Sequence, residues 1–269
     1  MLRALAGGEF KREEKNRVRR MKNEVPVDVI FDREQERRRI DRCLGRRRPF
    51  LLYGPAGVGK TLLLRDVLSR HQEILYCENS STTNMVFRSL AFSLLRLKNT
   101  RACRAFCSED AIANKSAVSL KGIVMDGLRE GQYSIMLDHL KQPSYAFAAA
   151  VREIMSWAST PVSAVARSFH MEDTGFLQPI YRDRSQKCEI CNFDHPIAER
   201  FAHEMINRSG LSGANLGEFL EKVLQFSGGN PGAIMALVDM GRNPRYRSEE
   251  YIKITPLYLD FRMNGGIAS

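Results

Sequence analysis

The sequence has no uninterrupted apolar run long enough to cross a bilayer, so a membrane-spanning helix and a membrane partner are excluded as expectations. Its start, Met1 to Phe10, runs straight into Lys11-Arg12-Glu13-Glu14-Lys15 and lacks the apolar core and cleavage site of a secretory signal. Cysteine is sparse, six residues in 269, and without an export signal these read as reduced thiols rather than a disulfide framework. The expected location is therefore cytoplasmic. There is no internal repeat and no low-complexity tract. No recognisable helix-turn-helix, zinc-finger or winged-helix module that would read base sequence is expected in the residues after Arg247.

What is present is an ordinary globular composition with unevenly placed charge. Hydrophobic residues make up 43% and charged residues 27%, which argues against general disorder. The length suits one sizeable domain with a small appendage. Of a formal charge of +10, the first fifty residues hold +7, with sixteen Lys and Arg against nine Asp and Glu. A basic N-terminal fifth on a nearly neutral body fits an arm that meets DNA or another polyanion. It equally fits a solvated helix, because Glu13, Glu14, Glu34 and Glu36 interleave with the bases.

Apolar runs at Phe50–Tyr53, Ile74–Cys77, Tyr133–Leu137 and Val162–Ala166 read as buried strands, and Lys187–Phe193 as a candidate fifth. Helical patterns separate them at Thr61–Arg70, Asn84–Leu97, Ser116–Arg129 and Ser144–Ala158. Strands alternating with helices predict an α/β fold, a parallel sheet flanked by helices. From Pro196 the pattern turns all-helical. The predicted organisation is a basic leader over 1–24, a nucleotide-binding domain over 25–194, a helical lid over 195–245 and a tail over 246–269.

Gly54-Pro55-Ala56-Gly57-Val58-Gly59-Lys60-Thr61 is a full G-x-x-x-x-G-K-T that follows a predicted strand and opens a predicted helix. Chemistry requires these residue types. The glycines allow close backbone approach, and the loop N–H groups with the helix N-terminus make a nest for a β-phosphate. Lys60 reaches the β and γ oxygens and the Thr61 hydroxyl ligates Mg²⁺, with Leu62 following in the first turn. Asp138 ends the third apolar strand, at the carboxyl edge of the sheet, where an acid holds the metal of ATP through its water shell. The other reading of Asp138 is a helix cap ahead of Pro143 and Ser144.

With these motifs the chain resembles the AAA+ and STAND branch of P-loop ATPases, with origin-recognition-like and signalling ATPases as the nearest type. Phe31-Asp32-Arg33-Glu34-Gln35-Glu36 resembles the Gly-Arg-Glu-x-Glu element that borders the adenine, and Gly228-Gly229-Asn230-Pro231 resembles the lid element whose proline packs on the nucleotide. The resemblance implies ATP with Mg²⁺ between sheet and lid, Pro231 against the nucleotide, and Arg167 or Ser168 facing the γ-phosphate. It also implies a protein partner or a homo-oligomer, in which Arg182 or Arg184 would reach a neighbour.

Two departures stand out. His139 occupies the place where relatives carry the acid that orients the attacking water. An imidazole base, a substitute such as Glu78, or slow hydrolysis are the alternatives. Asp32 stands where the adenine-bordering element begins with glycine.

The expected function is an ATP-dependent molecular switch with slow ATPase activity in a DNA-linked process. A non-hydrolysing nucleotide sensor and a kinase-like phosphotransferase are its rivals. The residues expected to carry turnover are Lys60, Asp138, His139 and Arg167. Cys188-x-x-Cys191 with His195 and His203, plus Cys103 and Cys107, invites a zinc reading. Opposite-facing strand positions and the lack of a knuckle glycine favour small buried cysteines instead. Trp157, Phe87, Phe92 and Phe147 recur at helical spacing and are expected in the core.

Overall fold

The computed structural model describes residues 32–263 and 266. The basic leader, and Phe31 of the element Phe31–Glu36, lie outside the described residues. The described chain opens with helix α1 (Glu34–Gly45), and strand β1 (Leu51–Tyr53) leads into α2 (Lys60–Arg70). Strand β2 (Ile74–Cys77) is followed by α3 (Thr83–Arg96), two short helices α4 (Thr100–Ala105) and α5 (Glu109–Ala113), and α6 (Ala117–Arg129). Strand β3 (Ser134–Leu137) then leads through α7 (Tyr145–Trp157) to β4 (Val162–Ala166). A short helix α8 (Met171–Thr174) and 3-10 turns precede β5 (Lys187–Glu189). The remainder is helical: α9 (His195–Ser209), α10 (Leu216–Ser227), α11 (Pro231–Arg242) and α12 (Ile254–Met263).

The five strands form one sheet in the order β2-β3-β4-β1-β5, and every pairing is parallel. Strands covered on both faces read as continuous apolar runs rather than alternations, which is why these segments were legible. Leu51, Leu52, Ile135, Leu137, Val162 and Ala164 are all buried. Register places Leu51 opposite Ala164 on one side and Lys187 on the other, so β1 lies between β4 and the edge strand. The α/β sheet flanked by helices is thus as the apolar pattern predicted.

Capping residues set the crossover helices. Thr82, Asn99, Ser116 and Ser144 each accept a hydrogen bond from a first-turn backbone N–H, satisfying donors that have no partner inside the helix. The apolar stripe of α3, Val86, Phe87, Leu90, Ala91 and Leu94, packs against α6, whose Leu120, Val124 and Leu128 face it.

Three expectations are corrected. Trp157 is 58% exposed, because the buried stripe of α7 is Phe147, Val151 and Ile154, and position 157 falls beside that stripe. The Arg129 guanidinium lies 4.3 Å from its ring centroid. The cysteines are not uniformly buried: Cys77 and Cys188 are, whereas Cys103, Cys107 and Cys191 are exposed. The fifth strand stops at Glu189, since β1 offers only three residues to pair. Cys191–Phe193 leave the sheet toward the helical unit, and the Phe193 N–H donates to the Gly229 carbonyl at 2.9 Å.

The helical unit packs α9, α10 and α11 together. Residues 246–263, read from sequence as tail, add a helix: α12 packs on α10 and α11, with the Phe226 and Tyr258 rings stacked at 3.7 Å. No helix among the described residues is long and apolar enough to cross a membrane.

Candidate functional site

The carboxyl ends of β1 and β3 flank that of β4, and the chain's crossovers leave to opposite sides of this point. In open α/β sheets such a switch point forms a crevice for ligands. The loop 54–61 rises from β1. The Gly54 N–H donates to the Arg167 carbonyl at 3.1 Å, tying it to the end of β4. Two of its glycines are dictated by geometry. A Cβ on Gly54 would stand 2.1 Å from the Ile190 carbonyl oxygen, and Gly59, the N-cap of α2, has φ of +98°.

Three carbonyls on the loop accept from residues distant in sequence. Ala56 accepts from Asn230 Nδ2 at 2.8 Å, Gly57 from the Gly232 N–H at 2.9 Å, and Val58 from the Arg33 guanidinium at 3.3 Å. Among the described residues, none of the N–H groups of residues 56 to 59 is bonded to a protein acceptor. A run of unpaired donors ending at a helix N-terminus is an anion-binding arrangement. Pro55 is exposed, Ala56 half-buried and Val58 buried; Thr61 lies half-buried in the first turn of α2, and Leu62 is 40% exposed.

Lys60 Nζ folds over the loop and donates to the carbonyls of Gly54 and Pro55 at 2.6 and 2.8 Å. Burial pushes its pKa down to about 8, with Asp138 opposing the shift and Arg167 adding to it. Lys60, Asp138 and Arg167 are therefore electrostatic neighbours.

Asp138 is 1% exposed at the end of β3. One carboxylate oxygen accepts from the Tyr76 hydroxyl at 2.7 Å and the other from the His139 N–H at 2.7 Å. The helix-cap reading falls, since Ser144 caps α7 and Asp138 faces the sheet edge. Burial and the adjacent Asp138 carboxylate raise the Tyr76 pKa, so the phenol stays protonated and serves as a donor. His139 adopts φ of +52° and its side chain is 62% exposed, with Nε2 3.8 Å from Asp138 Oδ2. Glu78 follows β2 at the same edge, half-buried. Arg167 is exposed beyond β4, and the Ser168 hydroxyl donates to the Asp173 carboxylate at 2.5 Å. Arg182 and Arg184 are exposed on the segment before β5.

The helical unit meets the loop through α11. Gly229 has φ of +76°, and a Cβ there would lie 2.2 Å from the Phe193 carbonyl oxygen. Asn230 caps α11 by accepting from the Ala233 N–H, while its amide donates to Ala56. Pro231 is buried at the first helical position, where its missing N–H costs nothing.

Sequence reasoning gave Asn230 and Arg33 only as members of the two flanking elements, without these contacts, and gave Tyr76 no role in the site. Asn230 carried a cap signal, Asn before Pro, but its reach to Ala56 was not written in it. Arg33 bonds the Cys191 and Val58 carbonyls and lies 4.5 Å from the Phe193 ring centroid, bracing loop and helical unit together. Tyr76 left no signal beyond an aromatic in a buried strand.

No protein-family model matches the chain, and no curated protein matches it. Solved structures do. The Orc1 protein of Aeropyrum pernix, solved in complex with DNA, superposes with a TM-score of 0.60 at 15% identity over 88% of this chain. Cdc6p from Pyrobaculum aerophilum gives 0.56 at 13% over 90%, and the Walker-type ATPase PABY2304 of Pyrococcus abyssi 0.54 at 19% over 78%. The chain spans 66%, 65% and 67% of the lengths of those three, about two thirds in each case. A parallel five-stranded sheet, a phosphate-loop motif at its switch point and a helical unit docked on that loop make this an AAA+ P-loop ATPase-like fold.

Proposed function

We propose that the chain binds ATP with Mg²⁺ and acts as an AAA+/STAND-type molecular switch with slow hydrolysis, in a DNA-linked process. One observation carries this reading: the helical unit is hydrogen-bonded directly to the phosphate loop, through Asn230 to Ala56 and Gly232 to Gly57. A ligand that rearranges the loop must therefore move, or be opposed by, the lid over 195–245.

In this reading the N–H groups of the loop from Ala56 to Lys60 hold the phosphates, and Lys60 leaves the loop carbonyls for the γ oxygens. Thr61 and Asp138 would hold Mg²⁺, whose charge stabilises the transferring phosphoryl group. The residues present fit that ion: a hydroxyl at the helix start, and a buried carboxylate whose orientation is fixed from both sides by Tyr76 and the His139 N–H. Leu62 and Pro231 border the nucleotide, and Arg167 faces its γ-phosphate. The basic leader over 1–24 supplies DNA or polyanion contact, and a protein partner or a second copy reads the lid. A cytoplasmic setting and a nucleotide-binding domain over 25–194 belong to the same reading.

A non-hydrolysing sensor is the second reading, favoured by His139. An exposed imidazole on a left-handed backbone orients water poorly compared with a carboxylate. Steady-state ATPase measurements with and without DNA separate switch from sensor. Lys60→Ala, followed by titration calorimetry, tests the site itself. ATP binding should be lost while the chain stays folded, and undiminished affinity would remove the phosphate-loop assignment.

A further inference from the structure

Away from the nucleotide crevice, on the outer side of the sheet's β5 edge, an open groove of about 810 Å³ runs between α1 and the segment leading into β5. One wall is an arginine stripe: Arg38, Arg39, Arg42 and Arg46 follow one face of α1 and its C-cap, with Arg48 beyond. The walls are tied together where Arg39 donates to the Arg184 carbonyl at 2.9 Å.

Among the described residues, the acids on α1 pair with residues other than Arg42, Arg46 and Arg48. Glu34 pairs with Arg37 and Arg38, and Glu36 with Arg33 at 3.1 Å. Asp41 turns away to Arg70 at 2.9 Å and to His71. On the opposite wall, Glu189 accepts from the Tyr53 hydroxyl at 3.3 Å. Among the described residues, Arg42, Arg46 and Arg48 make no side-chain hydrogen bond or ion pair, and all three are exposed. Helix-dipole stabilisation explains cations in the last turn, such as Arg42, but not Arg48, which stands outside the helix.

We propose that this groove docks the phosphodiester backbone of duplex nucleic acid. Guanidinium forks match phosphate oxygens bidentately, and Arg42 and Arg46 are one helical turn, about 5.4 Å, apart. The lining holds no aromatic residue, so base stacking, the usual grip on single strands, is not on offer. It also holds no aliphatic side chain, so an acidic peptide would find charge but no apolar anchor. Binding is sequence-independent and salt-dependent, as backbone contacts dictate. This deepens the DNA-linked half of the proposed function by giving the described residues a contact surface separate from the N-terminal leader.

The test uses the full chain, a fluorescent duplex of arbitrary sequence, and anisotropy titrations between about 50 and 200 mM salt. Arg42→Ala/Arg46→Ala/Arg48→Ala should weaken binding and make the log affinity–log salt slope shallower by about 2.7, the worth of three phosphates. Wild type would then lose roughly 40-fold more affinity than the variant across that salt range. The corresponding triple lysine variant, which keeps the charge, should retain the slope. Deleting Met1–Lys22 provides the reference for the leader. If that deletion abolishes duplex binding while the triple alanine variant binds like wild type, the groove is not the site and the leader's role stands. If the full chain shows no salt-dependent duplex binding, the groove and the DNA-linked reading fall together, and ATP titration shows whether the nucleotide reading survives. Equal affinity for polyglutamate of matched length would also overturn the assignment to nucleic acid.

Discussion

Asn230 concentrates two structural tasks in one side chain, and its removal has a calculable cost. Its Oδ1 accepts from the Ala233 N–H at 3.1 Å, capping α11, and its Nδ2 donates to Ala56 at 2.8 Å and to Asn192 Oδ1 at 3.1 Å. Truncation to alanine loses the cap, about 1 kcal/mol. It also leaves the Ala56 carbonyl without that donor at a site where Asn230 is 7% exposed, a further ~1–2 kcal/mol. The expected loss is about 2–3 kcal/mol in total. With an m-value of about 3 kcal/mol/M, the urea midpoint should fall by roughly 0.7–1 M. Asn230→Asp separates the two tasks. It keeps an acceptor for Ala233 but turns a carboxylate oxygen toward the Ala56 carbonyl, so the cap survives and the docking does not. Both variants should weaken ATP binding by about tenfold, because the carbonyl they release anchors the loop whose N–H groups are proposed to hold the phosphates. An Asn230→Ala stability within about 0.5 kcal/mol of wild type, with unchanged ATP affinity, would refute the coupling of lid to loop.

Asp138→Asn should weaken nucleotide binding in Mg²⁺ more than in EDTA, since the amide keeps the shape and loses the charge; equal losses by calorimetry would make Asp138 a structural residue. His139→Glu should raise turnover by at most ~10²–10⁴-fold if a carboxylate base is what the site lacks. A fall in the steady-state rate would instead make the imidazole the working group. Lys60 has its folded pKa lowered from 10.5 to about 8, so the free protein sheds that proton near pH 8, while bound phosphates favour the charged form. ATP affinity measured in EDTA should therefore decline above about pH 8, approaching a tenfold loss per pH unit; a flat profile from pH 7 to 10 would show that Lys60 does not meet the phosphates.

The strands were legible because a parallel sheet buried on both faces demands runs such as Leu51–Tyr53 and Val162–Ala166, and apolar runs survive in one dimension. The phosphate loop was legible because glycines at 54, 57 and 59 and Lys60-Thr61 lie within one local segment whose chemistry is backbone chemistry. Asp138 was singled out by its place after an apolar strand. Trp157 was misplaced because helical spacing fixes a face only to within a residue, and one position decides between core and solvent.

Other features are set by contacts between segments far apart in sequence. Asn230 meets Ala56 across 174 residues, Arg33 meets Cys191 across 158, and Tyr76 meets Asp138 across 62. A side chain's own segment determines that it is polar, or that it caps a helix, but not which distant carbonyl it will face. The arginine groove is a further case. The count of bases was in the sequence, but which of them stay unpaired was settled only when Asp41 turned to Arg70 and Glu36 to Arg33. Local residue type determined the elements and the phosphate-loop motif. The packing of helix on sheet decided the partners, because hydrogen bonds and charge pairs depend on distance in space rather than along the chain.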